Sequence, residues 1–139
     1  MTINEIQEEL IEDFSFYQDW MEKYEYIIQL GKEVPLIKEE YKKDDYIIKG
    51  CQSKVWLYPE LRDGKVYFTA DSDAVITKGL VSLMVKVLSG HTPQEIAQTD
   101  LYFIDKIGLK EHLSPTRANG LLSMVKQMKL YAVALQMRA

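Results

Sequence analysis

The chain has 139 residues, of which 47% are hydrophobic and 11% aromatic, a composition typical of a folded globular protein. The net charge is −4, with 21 acidic residues against 17 basic ones and no basic cluster, so nucleic acid is not an expected partner. The single cysteine excludes an internal disulfide and a cysteine-rich metal site.

Two segments bear on targeting: the N-terminus and the most apolar stretch, residues 74–88. The first residues are acidic and amphipathic, unlike a signal peptide. The apolar stretch contains two lysines and is too short and too polar to cross a bilayer. Together with the lone free cysteine, these features predict a cytoplasmic protein with no membrane attachment and one domain over residues 1–139.

The first third of the chain is predicted to be helical. Thr2 and Glu5 form a capping-box pattern, and apolar residues follow at helical spacing as far as Phe14. Ser15 repeats the capping signal and predicts the start of a second helix, which ends at Gly31. After Pro35, the charged residues 38–45 predict a solvated turn or a short helix.

The pattern changes to that of strands after Asp45. Residues 46–48 and 54–58 are rich in β-branched and aromatic side chains, which favours two strands. Asp63-Gly64 predicts a tight hairpin turn, with residues 65–69 returning as the partner strand. On that strand Val66 and Phe68 would share one face and Tyr67 would lie on the other. These segments predict a small antiparallel sheet of about three strands.

The remainder is predicted to be helical again. Asp71-Ser72-Asp73 offers capping oxygens to a helix that is apolar nearly all round and therefore central. Shorter helices are expected from Thr92 and over residues 101–107, and a last helix from Ser114-Pro115. The fold class predicted is α+β, a small antiparallel sheet packed by helices.

Cys51 is the residue with the most open interpretation. A free cysteine is most often buried and inert. Here, however, Gly50 precedes it and Gln52 and Ser53 follow, a sequence typical of a loop, where functional residues concentrate. The thiol is thus either an inert core residue or a single reactive sulfur.

Other candidate chemistry is weaker. His91 and His112 are the only histidines, and both occupy positions suited to loops or caps, so a Cys-His nucleophile pair is not favoured. One cysteine and two histidines lack the spacing of a zinc site. Arg117 is either a surface residue or a fixed positive charge that lowers the pKa of a nearby thiol.

Three further positions carry structural expectations. Asp73 is expected to be the N-cap of the central helix. Gly79 and Gly120 interrupt helical patterns, at a cost of about 1 kcal/mol each relative to Ala. Close approach of another backbone would explain such a glycine, and we expect it at Gly120 in particular.

The chain resembles the SufE family, the sulfur-acceptor partners of cysteine desulfurases in iron–sulfur cluster assembly. The resemblance is specific because two motifs occur together, Gly50-Cys51-Gln52-Ser53-x-Val55-Trp56 and Leu113-Ser114-Pro115-x-Arg117-x-x-Gly120. Further matching segments are spread over nearly the whole chain: residues 20–31, Asp71-Ser72-Asp73-Ala74, Lys78-Gly79-Leu80 and residues 92–96.

The resemblance implies a SufE/NifU-like fold and a role for Cys51 as the carrier of a persulfide. The sulfur would come from a cysteine desulfurase that uses pyridoxal phosphate and would pass to an iron–sulfur scaffold complex. Gln52 and Ser53 flank the thiol, and Arg117 and Asp73 are implied to lie near its loop. The protein would have no cofactor, no metal and no enzymatic activity of its own.

The chemistry of the transfer supports this role. The step is attack of a thiolate on sulfur, and an ordinary cysteine, with a pKa of about 8.5, is only a few per cent ionised at neutral pH. Local activation is therefore expected, and Gly50 suggests a loop that turns inward to shelter the sulfur and outward to meet its donor. Delivery through a separate desulfurase branch to another acceptor, and a cysteine enzyme using His91 or His112, remain as alternatives. A monomer is favoured over a homodimer.

Overall fold

The computed structural model describes residues 1–138, which form an α+β fold of helices packed around one β-hairpin. The strands are β1 (Val55–Arg62) and β2 (Lys65–Ser72). The helices are α1 (Ile3–Ser15), α2 (Trp20–Gly31), α3 (Val75–Leu88), α4 (Pro93–Gln98), α5 (Phe103–Ile107), α6 (Leu109–His112) and α7 (Pro115–Arg138). None of the helices in this range is both long and apolar enough to cross a membrane.

The hairpin has the predicted turn and facing. Asp63 and Gly64 both have positive φ, as a type I′ turn requires, and the register runs from Arg62 opposite Lys65 to Val55 opposite Ser72. Val66 and Phe68 are buried on one face, as the alternation of residue types predicted. The fold class is therefore confirmed.

The prediction of a third strand is wrong. Within residues 1–138 the sheet has two strands, and Ile47 adds only a single bridge to Trp56. Residues Asp44–Tyr46 instead form a 3-10 helix, in which the amide of Ile47 donates to the carbonyl of Asp44 (3.2 Å). Two features favour this helix over a strand. The ring of Tyr46 packs edge-on against Tyr58, with 5.0 Å between the ring centroids. Asp44 and Asp45 belong to a residue type that favours turns.

The start of α2 also differs from the prediction. Asp19, not Ser15, is the N-cap, and its carboxylate accepts from the amide of Glu22 (2.9 Å). Ser15 is the last residue of α1, where its hydroxyl donates to the carbonyl of Glu12 (2.6 Å). The serine hydroxyl is thus already used inside the preceding helix. The predicted capping boxes of α1 and α4 are confirmed, and the short helix α6 was not predicted.

Helix α3 is the centre of the core and crosses α2 at very short range. A Cβ on Gly79 would lie 2.3 Å from the carbonyl oxygen of Ile27, and a Cβ on Gly31 would lie 2.9 Å from the amide nitrogen of Gly79. Only glycine permits this approach of two backbones. The tightest backbone approach is therefore at Gly79. At Gly120, where it was expected, a Cβ would lie 3.9 Å from the Cα of Cys51, which is an ordinary contact distance.

Candidate functional site

The loop that carries Cys51 is anchored at its base to the hairpin and to the start of α3. The amide of Ile48 donates to the carbonyl of Val55 (2.8 Å), which closes the loop. Asp73 accepts from the amide of Lys54 (3.0 Å), and its own amide donates to the Lys54 carbonyl (3.2 Å). Ser72 adds a hydroxyl hydrogen bond to the same carbonyl (2.8 Å).

Asp73 is not the N-cap of α3. That position is held by Ala74, and no side chain caps this end of the helix. The carboxylate that was expected to cap the helix is instead hydrogen-bonded to Lys54 of the cysteine loop. Asp73 thus lies near the loop and fixes its base.

The tip of the loop lies against α7. Gly50 has a φ of +96°, a conformation that L side chains rarely adopt, and a Cβ there would come within 2.4 Å of the Ser123 hydroxyl. Glycine is thus required at this position both by its backbone conformation and by the nearness of the helix. The next residue, Cys51, points toward the same helix.

The Cys51 thiol is half-buried and protonated at neutral pH. Its Sγ donates to the carbonyl oxygen of Gly120 at 3.5 Å. Burial raises the pKa of the thiol. The sulfur also lies against Gly120 itself. A Cβ on this residue would stand 3.4 Å from Sγ, an ordinary contact distance. The free protein therefore holds this sulfur in a form that is a poor nucleophile.

A small pocket of about 90 Å³ opens beside the thiol. The loop, the start of α3 and the start of α7 each contribute to its wall. The lining residues are Cys51, Gln52, Ser53, Ala74, Thr77, Leu80, Thr116, Arg117, Gly120 and Met124. The volume holds a few water-sized groups and no large ligand.

The structure brings most of the expected site residues together. Gln52, Ser53 and Arg117 share the pocket with Cys51, although the Arg117 side chain is exposed. Gly50 shapes the loop, and Asp73 fixes its base without lining the pocket. Arg117 therefore sits at the mouth, where it can meet a negatively charged group that enters.

Neither histidine lines the cysteine pocket. His91 is buried, and its ring nitrogens face the carbonyls of Leu88 (3.3 Å) and Met1 (2.9 Å). His112 stacks on Trp20, 4.0 Å between ring centroids, and its Nδ1 faces the carbonyl of Gly108 (3.0 Å). Both rings are occupied in packing and backbone contacts, so the Cys-His pair has no geometric support.

Three lining residues were not singled out from the sequence: Thr77 of α3, and Thr116 and Met124 of α7. Thr77 is a polar residue among the apolar side chains of a central helix, which is a signal that sequence reasoning had available. Met124 follows the buried spacing of α7, a pattern that indicates the core and not a pocket. No group of three or more potential metal ligands occurs in the part of the chain that the structure describes.

Comparison with known proteins identifies the family. The family model for SufE, described as an Fe-S metabolism associated domain, matches residues 8–132. The chain belongs to the SufE family. An uncharacterized SufE-like protein of Rhizobium meliloti is 39% identical over 127 residues, which cover 88% of this chain and 91% of the relative. A second, from Synechocystis sp., is 38% identical, with coverage of 92% and 80%.

The fold is shared with a solved structure as well. The solution structure of a hypothetical protein from Thermus thermophilus aligns with a TM-score of 0.79, covering 95% of this chain and 96% of that one. At 17% sequence identity, this likeness establishes the common fold alone.

Proposed function

We propose that the protein accepts sulfur from a cysteine desulfurase as a persulfide on Cys51 and delivers it for iron–sulfur cluster assembly. One observation carries the proposal. The only cysteine of this SufE-family chain lies on a loop, directly after Gly50 and beside a pocket of about 90 Å³. The family's description as associated with Fe-S metabolism supports the destination.

The transfer balances without any added oxidant or reductant. The Cys51 thiolate attacks the outer sulfur of a persulfide on the donor cysteine, and a new S–S bond forms as the old one breaks. The electron pair of the broken bond leaves on the donor sulfur, which becomes a thiolate. The proton lost by Cys51 is available to that thiolate. The donor cysteine thus ends as a thiol and Cys51 as a persulfide.

The resting geometry argues for activation by the partner. Burial raises the pKa of the Cys51 thiol, so the free protein has little thiolate with which to react. An outward turn of the loop would end the hydrogen bond to Gly120 and return the thiol to water, where its pKa falls toward an ordinary value. The donor enzyme thereby gains access, and an inward turn shelters the sulfur afterwards.

Several features of the protein belong to the same proposal. It acts as a carrier without a cofactor or metal of its own, as one domain over residues 1–139 in the cytoplasm. Its partners are a desulfurase containing pyridoxal phosphate and a scaffold complex that receives the sulfur, and a monomer is favoured over a homodimer.

The test is incubation with a cysteine desulfurase and free cysteine, followed by intact-mass measurement. The expected result is a gain of one sulfur atom by the protein and no gain by Cys51→Ser. His112→Gln is the matched control, since its ring is exposed and stacks on Trp20 away from the pocket, and it should still gain sulfur. No gain by the wild-type chain with any desulfurase of its source organism would overturn the proposal.

A further inference from the structure

The most unusual residue near Cys51 is Thr77, a nearly buried polar side chain on the central helix α3. Thr77 is 8% exposed and lies in the first turn of α3, among apolar neighbours. Among residues 1–138, every fully buried side-chain nitrogen or oxygen has a hydrogen-bond partner. The Thr77 hydroxyl has no partner in that range. The hydroxyl therefore reaches solvent, and the space that Thr77 lines is the cysteine pocket.

A comparison within the same helix shows that this arrangement is not forced by α3. Ser82, the other buried hydroxyl of the helix, donates to the carbonyl of Leu30 (2.7 Å). Buried hydroxyl groups in proteins nearly always have such a partner. The hydroxyl of Thr77 is thus free to donate a hydrogen bond to a group that enters the pocket.

The hydrogen-bonding needs of Cys51 change when it takes up sulfur. The free thiol is a donor and is matched by an acceptor, the carbonyl of Gly120. A persulfide has no hydrogen on Sγ, and its outer sulfur carries the negative charge, so it needs a donor in place of an acceptor. Thr77 is a donor on a rigid helix that lines the same pocket.

The other hydroxyl groups of the pocket are less suited to this role. Ser53 belongs to the loop and moves with Cys51, whereas Thr116 is exposed at the start of α7. The pocket volume, about 90 Å³, exceeds the roughly 10–15 Å³ that a cavity needs to hold one water, so it admits a single sulfur atom. A single sulfur thus fits without displacing the walls.

We propose that Thr77 binds the transferred sulfur, its hydroxyl donating a hydrogen bond to the outer sulfur of the Cys51 persulfide. This assignment rests on the proposed carrier function and adds a residue that holds the cargo. Hydrogen bonding to the anion stabilises it relative to the protonated persulfide, which is the form that an incoming thiol attacks. Thr77 therefore prolongs the life of the carried sulfur.

The test compares Thr77→Val, which has the same shape without the hydroxyl, with the wild-type protein. Cys51 is loaded either with inorganic polysulfide or with desulfurase and cysteine, and loading is checked by intact mass. The half-life of the bound sulfur is then measured against dithiothreitol as a function of pH. We expect Thr77→Val to shorten the half-life about tenfold and to shift the pH profile upward by about one unit.

Two variants separate this role from a structural one. Thr77→Ser keeps the hydroxyl and should restore most of the half-life. Thr69→Val removes a hydroxyl of β2 that lies outside the pocket and should leave the half-life unchanged. Thermal unfolding of each variant is recorded alongside. If Thr77→Val does not fold, Thr77→Ala repeats the measurement.

The outcomes distinguish the two proposals. A persulfide that has the same half-life and pH profile in Thr77→Val as in the wild type overturns the role of Thr77 and leaves the carrier function standing. Loading by polysulfide but not by desulfurase, with a shortened half-life in Thr77→Val, supports Thr77 and overturns the carrier function. Failure of both reagents to load Cys51 overturns both.

Discussion

The α2–α3 crossing and the contact between the cysteine loop and α7 are two close approaches built on glycine, and they differ in what the glycine permits. At the crossing, a Cβ on Gly79 would lie 2.3 Å from the Ile27 carbonyl oxygen, so two rigid helices leave no space for a methyl group. At the loop, a Cβ on Gly120 would lie 3.4 Å from the Cys51 sulfur, which is ordinary contact.

The contact at Gly79 is structural, whereas the contact at Gly120 involves the candidate functional site. Backbone meets backbone at Gly79, and neither helix can move without opening the core. At Gly120 the facing atoms belong to a loop residue, which is attached through its neighbours and through one long hydrogen bond to the Gly120 carbonyl. The core contact is held by the packing of two helices, whereas the loop contact has fewer bonds to break, which suits the proposed carrier function.

The largest effect is expected for Gly79→Ala. Alanine favours a helix by about 1 kcal/mol over glycine, but the added methyl would force α2 and α3 apart, and overpacking of this kind costs about 3 kcal/mol. We expect a net loss of about 2 kcal/mol in the free energy of unfolding, measured with urea. Gly120→Ala, with the same gain in propensity, is the matched control. Unchanged stability in Gly79→Ala would mean that the crossing is not as tight as described.

Gly50→Ala is expected to have the next largest effect, and on the loop instead of the core. The positive φ is unfavourable for alanine by about 1–2 kcal/mol, and its methyl group would also meet the Ser123 hydroxyl. We expect a loss of stability of this size and faster alkylation of Cys51, because the loop is pushed off α7.

Ser123→Ala provides the control for this prediction. In the double variant the hydroxyl contact is removed and the backbone strain remains, so most of the loss of stability should persist. Full recovery in the double variant would show that the contact, and not the positive φ, makes glycine necessary at position 50.

Sequence periodicity predicted the parts of this fold in which burial follows one local face. Helices α1, α3 and α7 and the facing of the hairpin are of this kind. Residues 46–48 were predicted as a strand, but Tyr46 is the last residue of the 3-10 helix Asp44–Tyr46 and its ring packs against Tyr58 of another segment. Long-range contacts decided that element.

The candidate site was predictable in part for the same reason. The resemblance indicated Cys51, its flanking residues and Arg117 because they lie in the matching motifs. Thr77 lies outside the motifs that carried the resemblance, and only the fold brings it to the pocket from another element. The carboxylate of Asp73 was correctly expected near the loop, but its bond to Lys54 could not be distinguished from helix capping in the sequence.

The sheltered state of Cys51 predicts a slow and pH-shifted reaction with iodoacetamide. Burial raises the pKa of the thiol, so the folded protein forms thiolate at higher pH than an unfolded chain, for which the pKa is about 8.5. Near neutral pH we therefore expect slower alkylation in the folded protein than in the urea-unfolded protein. The pH profile should be displaced upward.

Because the pKa of the Cys51 thiol is raised in the folded protein, the free energy of unfolding also depends on pH. As pH rises above about 8.5, the unfolded chain loses its thiol proton before the folded one, so the free energy of unfolding falls in that window. Cys51→Ser should remove this part of the pH dependence. Equal alkylation rates in folded and unfolded protein would contradict sheltering of the sulfur in the free protein.

The smallest effect on stability is expected for Gly120→Ala, and it completes the contrast with Gly79. The added methyl makes ordinary contact with the Cys51 sulfur while the helix gains propensity, so the free energy of unfolding should rise by up to about 1 kcal/mol. The methyl also takes space in the pocket, so uptake of sulfur from a desulfurase should slow by roughly threefold, less than about 1 kcal/mol in the barrier. A variant that is stabilised yet impaired in sulfur uptake would show that Gly120 serves the pocket, whereas a destabilised one would make it a second structural crossing.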